Sequence, residues 1–142
     1  MTATETVHAT TVAISGRAVL ITGPSGAGKS DLALRLIDGG FILVSDDRTV
    51  LTRSDDRLLA SAPATIAGKL EVRGIGIVDM PIVDGVPVAL LVELTSEIQR
   101  LPAEGRARSI LDVPVPLISI DATTASAAAK VVIGLDRLGL RF

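Results

Sequence analysis

The chain contains no cysteine, no tryptophan and no tyrosine among its 142 residues. The lack of cysteine excludes disulfide bonds, thiol nucleophiles and thiolate metal ligands. Phe41 and Phe142 are the only residues of the Phe, Trp and Tyr class, so the base-stacking surface that binds single-stranded nucleic acid is missing. The net charge is −2 and the Lys and Arg residues are dispersed, so we expect no nucleic-acid partner.

Long apolar runs are also absent. No stretch reaches the ~18 consecutive apolar residues of a membrane helix, and the N-terminal residues lack the charged and apolar regions of a signal peptide. We therefore expect a cytoplasmic protein with no membrane contact. The length predicts a single domain over residues 1–142. Because 48% of the residues are hydrophobic, a core of Val, Ile, Leu and Ala is expected.

A glycine-rich sequence of the form G-x-x-x-x-G-K-[ST] follows the apolar run 18–21 and precedes a helical pattern. In such a loop the glycines let backbone N–H groups point at phosphates, the Lys reaches the β- and γ-phosphates, and the hydroxyl suits Mg²⁺. The helix N-terminus adds partial positive charge. The sequence therefore predicts that a nucleoside triphosphate is bound by Gly23, Ser25, Gly26, Ala27, Gly28, Lys29 and Ser30.

Short apolar runs alternate with two helical patterns in the rest of the chain, which predicts an α/β domain. We predict strands at 7–14, 18–21, 41–44, 86–94 and 113–120, a weaker strand at 75–78, a hairpin over 50–60, and helices over 30–38 and 125–138. Gly39 with Gly40 is expected to form a left-handed cap after the first helix, and Gly139 to close the second. Two prolines predict that 113–120 is an edge strand, and residues 102–108 predict a loop.

Acidic residues near the loop are needed to identify its function, because a phosphate-binding loop alone does not separate a kinase from a hydrolase or a switch. Asp46 and Asp47 follow the apolar run 41–44, and Glu93 follows a similar run at 89–92. The Asp pair is favoured because its strand comes directly after the loop helix, and open α/β sheets bind ligands at such strand ends. If the chain turns there, one acid accepts a proton from an attacking hydroxyl while the other holds Mg²⁺. The competing interpretation is a solvated turn.

Residues 70–79, L-E-V-R-G-I-G-I-V-D, indicate on their own a bent strand with an exposed ion pair. Together with the phosphate-binding loop and V-S-D-D at 44–47, they resemble the HPr kinase/phosphorylase family. That family has a Walker-type loop, a V-x-D-D stretch one helix later, and an L-E-[VI]-R-G-x-G-I segment. His8 followed by Ala9 also fits, since members carry a His one strand before the loop. The resemblance covers residues 7–83.

The resemblance implies a nucleotide core like that of phosphoenolpyruvate carboxykinase, with a mixed central sheet flanked by helices. It implies a kinase that uses ATP and Mg²⁺ to phosphorylate a serine of the phosphocarrier protein HPr, and many members also remove that phosphate by phosphorolysis. By position, Asp46 is the base that takes the serine proton, and Asp47 orients metal or substrate beside it. Family cores associate into hexamers, which makes a homo-oligomer one expectation.

Further site roles are implied by the same match. Ser30 and Glu71 hold Mg²⁺, and Lys29 with the backbone of the loop binds the phosphates. His8 lies near the γ-phosphate or the acid; the alternative is an exposed or core-capping histidine. Arg73 contacts phosphate or braces the loop.

Three features depart from the family pattern. Full-length members are roughly twice as long, and we expect this chain to lack their extra N-terminal domain; Asp31 stands where the family usually has Glu. The C-terminal Gly-Arg-Asn-like element, which supplies an active-site Arg, has no match, and this loss counts against phosphorolysis. The chain is similar in this respect to the short form found in alphaproteobacteria. Lys130 is a candidate replacement cation, and a solvated helix lysine is the simpler interpretation.

Two other function classes remain open. A small-molecule kinase would share the loop and acids and add a mobile lid, for which Arg100, Arg106 and Arg108 are candidates. A regulatory module that binds ATP without transferring phosphate would keep Lys29 and Ser30 and tolerate the loss of Asp46. A switch GTPase is disfavoured because no Asn-Lys-x-Asp element occurs.

Overall fold

A computed structural model describes residues 3–98 and 106–142 of the chain. The elements in chain order are β1 (Thr4–Val7), β2 (Thr10–Ile14), β3 (Arg17–Thr22), α1 (Lys29–Asp38), β4 (Ile42–Ser45), β5 (Thr49–Ser54), β6 (Arg57–Ser61), β7 (Lys69–Val72), β8 (Gly76–Asp79), β9 (Val86–Leu94), β10 (Ala107–Ile110), β11 (Val113–Ile120) and α2 (Ala127–Leu138). Neither helix in the described ranges is long and apolar enough to cross a membrane.

Within the described residues the central sheet has nine strands. It is mixed, as expected from the sequence. Its main path runs β1-β5-β6-β9-β3-β2-β4, and β11 joins β9 and carries β10. The pairs β3–β9 and β9–β11 are parallel, and the other pairs in this sheet are antiparallel. A separate two-stranded sheet is formed by β7 and β8. The predicted α/β class with a mixed central sheet is therefore confirmed.

Apolar side chains fill both faces of this sheet. On β3, Val19 and Ile21 belong to the cluster under the two helices, and Leu20 belongs to the cluster on the opposite face. Alternate residues of a strand point to opposite faces, so a strand covered on both sides must be apolar throughout. The sequence Ala18 to Ile21 meets this requirement, and it anchors the loop that follows.

The packing of α1 predicts a large effect of one core truncation. Leu32 is fully buried against the sheet, whereas Leu138 near the end of α2 is 55% exposed. We expect Leu32→Ala to lower the free energy of unfolding by about 2–5 kcal/mol, because it leaves a cavity. Leu138→Ala should change it by less than about 1 kcal/mol. Urea unfolding followed by circular dichroism checks both, and equal small effects would contradict the described packing.

Gly39 and Gly40 form the C-terminal cap of α1. Gly39 is not left-handed (φ −86), whereas Gly40 is (φ 109). The N–H of Phe41 donates to the Leu36 carbonyl and that of Gly40 donates to the Ile37 carbonyl, which is the bond pair of a Schellman motif. The predicted left-handed cap is therefore confirmed, and Gly40 is its left-handed residue.

Gly139 closes α2 for another reason. Its backbone is extended (φ −61, ψ 147). A Cβ at this position would lie 2.5 Å from the carbonyl oxygen of Leu135. The glycine is needed because the chain passes close to the last helical turn, so the left-handed conformation expected at a glycine cap is wrong here.

Several strand predictions are corrected by long-range pairing. The strand predicted over 7–14 is two strands, β1 and β2, which pair with different neighbours and are separated at His8 and Ala9. Residues 70–79 form a hairpin with a turn at Arg73 to Ile75 instead of one bent strand. The hairpin over 50–60 is confirmed, and its turn residues Asp55 and Asp56 are exposed.

The region before β11 was predicted as a loop over 102–108. Ala107 and Arg108 instead belong to β10, which pairs antiparallel with residues 113–116 of β11, the half that contains both prolines. The second half of β11 pairs parallel with β9. Arg100 and residues 102–105 of the predicted loop lie outside the described residues.

Candidate active site

Three strand ends and one strand start meet at one edge of the central sheet. β2 lies between β3 and β4 and is antiparallel to both, so β3 and β4 run in the same direction and end at the same edge. Thr22 ends β3, Ser45 ends β4, and Thr10 begins β2. β9 ends here as well, because Glu93 is the register partner of Thr22. This is the edge at which open α/β sheets place ligands.

The phosphate-binding loop connects β3 to α1 at this edge. Gly26 and Gly28 have φ values of 82 and 99, which favour glycine because other L-residues are strained there. A Cβ on Gly28 would also lie 3.3 Å from the Cβ of Ala122. Helix α1 begins at Lys29, so the unpaired N–H groups of its first turn lie next to the loop.

The Lys29 side chain lies across this loop. Its Nζ atom donates to the carbonyl oxygen of Gly23 at 2.9 Å and to that of Pro24 at 3.2 Å. An ammonium group in this position lies inside the curve of backbone that the loop motif wraps around a phosphate chain.

Asp46 is 8% exposed and its carboxylate joins the loop to two other segments. Its Oδ1 atom accepts hydrogen bonds from the Ser30 hydroxyl at 2.6 Å and from the Thr10 hydroxyl at 3.0 Å. Its Oδ2 atom accepts from the backbone N–H of Glu71 at 3.0 Å. A carboxylate has about four acceptor positions, so one position remains for a further donor. The interpretation of Asp46 as part of a solvated turn is wrong.

Asp47 is exposed directly after this buried acid. Its backbone is left-handed (φ 66), and its N–H donates to the Thr10 hydroxyl at 3.1 Å. The chain therefore turns between the two acids, which is the condition under which they can act separately. Their carboxylates differ sharply in exposure, since only Asp46 is buried.

The other residues implied by the resemblance lie at the rim of this site. His8 is exposed in the bend between β1 and β2, two residues before Thr10. Glu71 lies on β7 with an exposed side chain, and its backbone contacts Asp46. Arg73 is exposed at the turn of the β7–β8 hairpin. The structure brings Glu71 directly to the central acid and leaves His8 and Arg73 facing solvent.

The donor groups suit magnesium. Mg²⁺ takes oxygen ligands and is usually bound through one or two carboxylates together with substrate phosphates and water. The Ser30 hydroxyl and the Asp46 carboxylate are already in contact, and the carboxylates of Asp47 and Glu71 belong to residues that contact the same cluster through their backbones. Within residues 3–98 and 106–142, no group of three or more His, Cys, Asp or Glu side chains forms a metal cage by itself.

Glu93, the less favoured acid, is engaged elsewhere. Its Oε2 atom lies 2.6 Å from Nη2 of Arg108, while Nη2 of Arg106 donates to the Ser119 hydroxyl at 3.1 Å. These two arginines, candidates for a mobile lid, thus contact the ends of β9 and β11. From the sequence, Glu93 is a candidate acid and Arg108 is a candidate lid residue. Their ion pair could not be predicted, because β10, which carries Arg108, was not predicted.

The loop after β11 packs against the phosphate-binding loop. Arg35 of α1 donates to the Ala122 carbonyl at 2.7 Å and to the Thr124 carbonyl at 3.4 Å. The hydroxyl and the backbone N–H of Thr123 donate to Asp121, and both bonds hold the pKa of that carboxyl below its ordinary value. Lys130 lies on α2 with an exposed side chain.

The chain matches one protein family over most of its length. The family model of the HPr Serine kinase C-terminal domain matches residues 1–134. The HPr kinase/phosphorylase of Limosilactobacillus reuteri is 36% identical over 141 residues, which cover 90% of this chain and 44% of that protein. The corresponding protein of Clostridium tetani is 37% identical over 126 residues, which cover 80% of this chain and 41% of that protein. The chain therefore spans less than half the length of the curated relatives it matches.

A solved structure agrees with this match. The Hpr(Ser) kinase/phosphatase from Coxiella burnetii is similar with a TM-score of 0.79 and 32% sequence identity, covering 94% of this chain and 97% of that one. Sequence and fold comparisons thus select the same family independently of the site geometry.

Proposed function

This chain belongs to the HPr serine kinase C-terminal domain family, and we propose that it transfers the γ-phosphoryl group of ATP to a serine of an HPr-type phosphocarrier protein. The contact that carries the proposal is the 2.6 Å hydrogen bond between the Ser30 hydroxyl and Asp46. It joins a buried carboxylate to the hydroxyl that suits Mg²⁺ in a phosphate-binding loop. A domain that only binds nucleotide has no need for a base at that point.

In the proposed reaction the acceptor serine Oγ attacks the γ-phosphorus in line with the bridging oxygen of ADP. The new Oγ–P bond forms, the bond to the bridging oxygen breaks, and ADP leaves. The serine proton passes to the acceptor position of Asp46 that Ser30, Thr10 and Glu71 do not fill. A positioned base of this kind contributes about 10²–10⁴-fold to such a transfer.

The remaining site residues bind and orient in this proposal. Lys29 and the N-terminus of α1 hold the phosphates, where their positive charge opposes the charge of the transferred group. Ser30, Asp47 and Glu71 hold Mg²⁺, which neutralises phosphate charge when bound. His8 lies near the γ-phosphate or the acid, and Arg73 contacts phosphate or braces the loop.

The wider setting is part of the same proposal. Residues 1–142 act as one domain, as a homo-oligomer, in the cytoplasm where ATP and phosphocarrier proteins meet. The proposal does not include phosphorolysis, because the family's Gly-Arg-Asn-like element, which supplies an active-site Arg, has no match in the sequence.

The proposal is tested by the dependence of ADP release on the acceptor. The wild-type chain is supplied with ATP, Mg²⁺ and an HPr-type carrier from the same organism, and ADP is followed in a coupled assay. We expect release that saturates with carrier and disappears with a carrier whose acceptor serine is replaced by alanine. ADP release that responds to a sugar or nucleoside and ignores the carrier would instead identify a small-molecule kinase.

A further inference from the structure

Glu93 and Arg108 form an ion pair beside the start of the phosphate-binding loop. Nη2 of Arg108 lies 2.6 Å from Oε2 of Glu93. Glu93 is the register partner of Thr22, which directly precedes Gly23. Neighbouring strands lie about 4.8 Å apart, so the backbone of Glu93 lies next to the residue that precedes the loop, on the β9 side. Asp46 lies on the other side of β3, beyond β2.

A cleft of about 410 Å³ opens beside Arg108. Arg108, Thr22 and Glu5 line it, and Leu20 and Leu91 contribute apolar side chains. The Arg108 side chain is 46% exposed, and that of Glu93 is 35% exposed. An arginine with this exposure can change rotamer within the cleft while β10 holds its backbone.

Two arginines that contact the helices, Arg35 and Arg17, donate to backbone carbonyls. Arg35 donates to Ala122 and pairs with Asp31, and Arg17 donates to the carbonyls of Leu135 and Leu140. The contact of Arg108 within the described residues is to a carboxylate. A phosphate presents the same anionic oxygens as a carboxylate and can take its place on the guanidinium.

We propose that Arg108 binds the phosphate chain of the nucleotide, and that Glu93 holds the guanidinium beside the loop until the nucleotide enters. The inference rests on the proposed function and adds a second cation to Lys29. Phosphoryl transfer places negative charge on the phosphate oxygens, and a guanidinium donates two parallel hydrogen bonds to such oxygens. When phosphate replaces Glu93 as its partner, the Arg108 guanidinium remains paired with an anion.

A single substitution would mix two effects, because Arg108→Ala also leaves the Glu93 charge facing the phosphates. The design is therefore a double-mutant cycle of Arg108→Ala, Glu93→Gln and the combined variant. The dissociation constant of ATP is measured by calorimetry with Mg²⁺ present. We expect Arg108→Ala to weaken ATP binding about tenfold and Glu93→Gln to tighten it a few-fold, since it removes a competing anion.

The combined variant distinguishes a direct contact between Arg108 and phosphate from neutralisation of Glu93 by Arg108. If Arg108 touches phosphate, the combined variant binds ATP about tenfold more weakly than Glu93→Gln alone. If Arg108 only neutralises Glu93, the combined variant recovers wild-type affinity, and this result overturns the inference. Arg108→Lys keeps the positive charge but cannot donate two parallel hydrogen bonds, so we expect an intermediate ATP affinity. Added guanidinium ion should partly restore transfer by Arg108→Ala and leave Arg108→Lys unchanged.

Arg141→Ala is the matched control, because Arg141 is an exposed arginine in a weak surface ion pair with Asp136. Its ATP affinity should equal that of the wild type. Because the ATP dissociation constant is measured without carrier, it still tests the role of Arg108 if no carrier becomes phosphorylated. A wild-type chain that fails to bind ATP would overturn both proposals.

Discussion

Replacing Asp46 by asparagine is expected to lower the rate of phosphoryl transfer at least about a hundredfold, with ATP affinity changed little. The amide has nearly the shape of the carboxylate, and its oxygen can still accept from Ser30 and Thr10, the two hydroxyls that bond to Oδ1. It cannot take the serine proton. The measurement is the initial rate of transfer to the carrier, with ATP affinity determined in parallel by calorimetry.

Asp56→Asn provides the control for this substitution. Asp56 is an exposed acid in the β5–β6 turn, away from the loop, so its replacement should leave the rate unchanged. Asp47→Asn separates the neighbouring acids: it should raise the Mg²⁺ concentration needed for half-maximal rate. If Asp47→Asn abolishes transfer and Asp46→Asn leaves the rate unaltered, the assignment of the base is wrong.

Lys29→Ala is expected to have the second large effect. Its ammonium group donates to the Gly23 and Pro24 carbonyls, and we expect it to bind the β- and γ-phosphates from there. Removing a donor that stabilises transition-state charge costs about 10²–10³-fold in rate. ATP affinity should fall as well, because the same group binds the ground state.

The matched control is Lys69→Ala. Lys69 is half-exposed and pairs with Asp79 on the β7–β8 hairpin, and an exposed pair of this kind contributes little stability. Both variants are compared by transfer rate and by ATP titration. An unchanged rate together with an unchanged affinity in Lys29→Ala would remove this residue from the proposed mechanism.

The parts of the fold that depend on local sequence were predictable. The loop from Gly23 to Ser30, the helix after it and the long strand β9 each follow from a continuous pattern of a few residues. The α1 cap was predicted from Gly39 and Gly40 together, and only the hydrogen bonds of the last turn show which of them is left-handed. Such a choice depends on where the following strand enters the sheet.

The parts that depend on pairing between distant segments were not predictable. The break at His8 arises because β1 pairs with β5 while β2 pairs with β3 and β4. Strand β10 is exposed and partly charged, and it exists because β11 supplies its hydrogen-bond partners. Neither feature has a periodic signal in its own residues.

The candidate site likewise combines features that local sequence predicts with contacts between distant segments that it does not predict. The sequence located Asp46 after a buried strand, but its carboxylate accepts hydrogen bonds from Thr10 and Glu71, which are 36 and 25 residues away along the chain. The resemblance to known family members connected these segments before the structure did. The Glu93–Arg108 pair falls outside that resemblance, so only the structure could reveal it.

The most direct test of the central claim identifies the phosphorylated product. The carrier is incubated with the wild-type chain, ATP labelled in the γ-phosphate and Mg²⁺, and the modified residue is located by fragment mass spectrometry. Label on a single serine, absent when Asp46→Asn replaces the wild type, is the predicted result. ATP binding without label on any carrier residue would contradict the account.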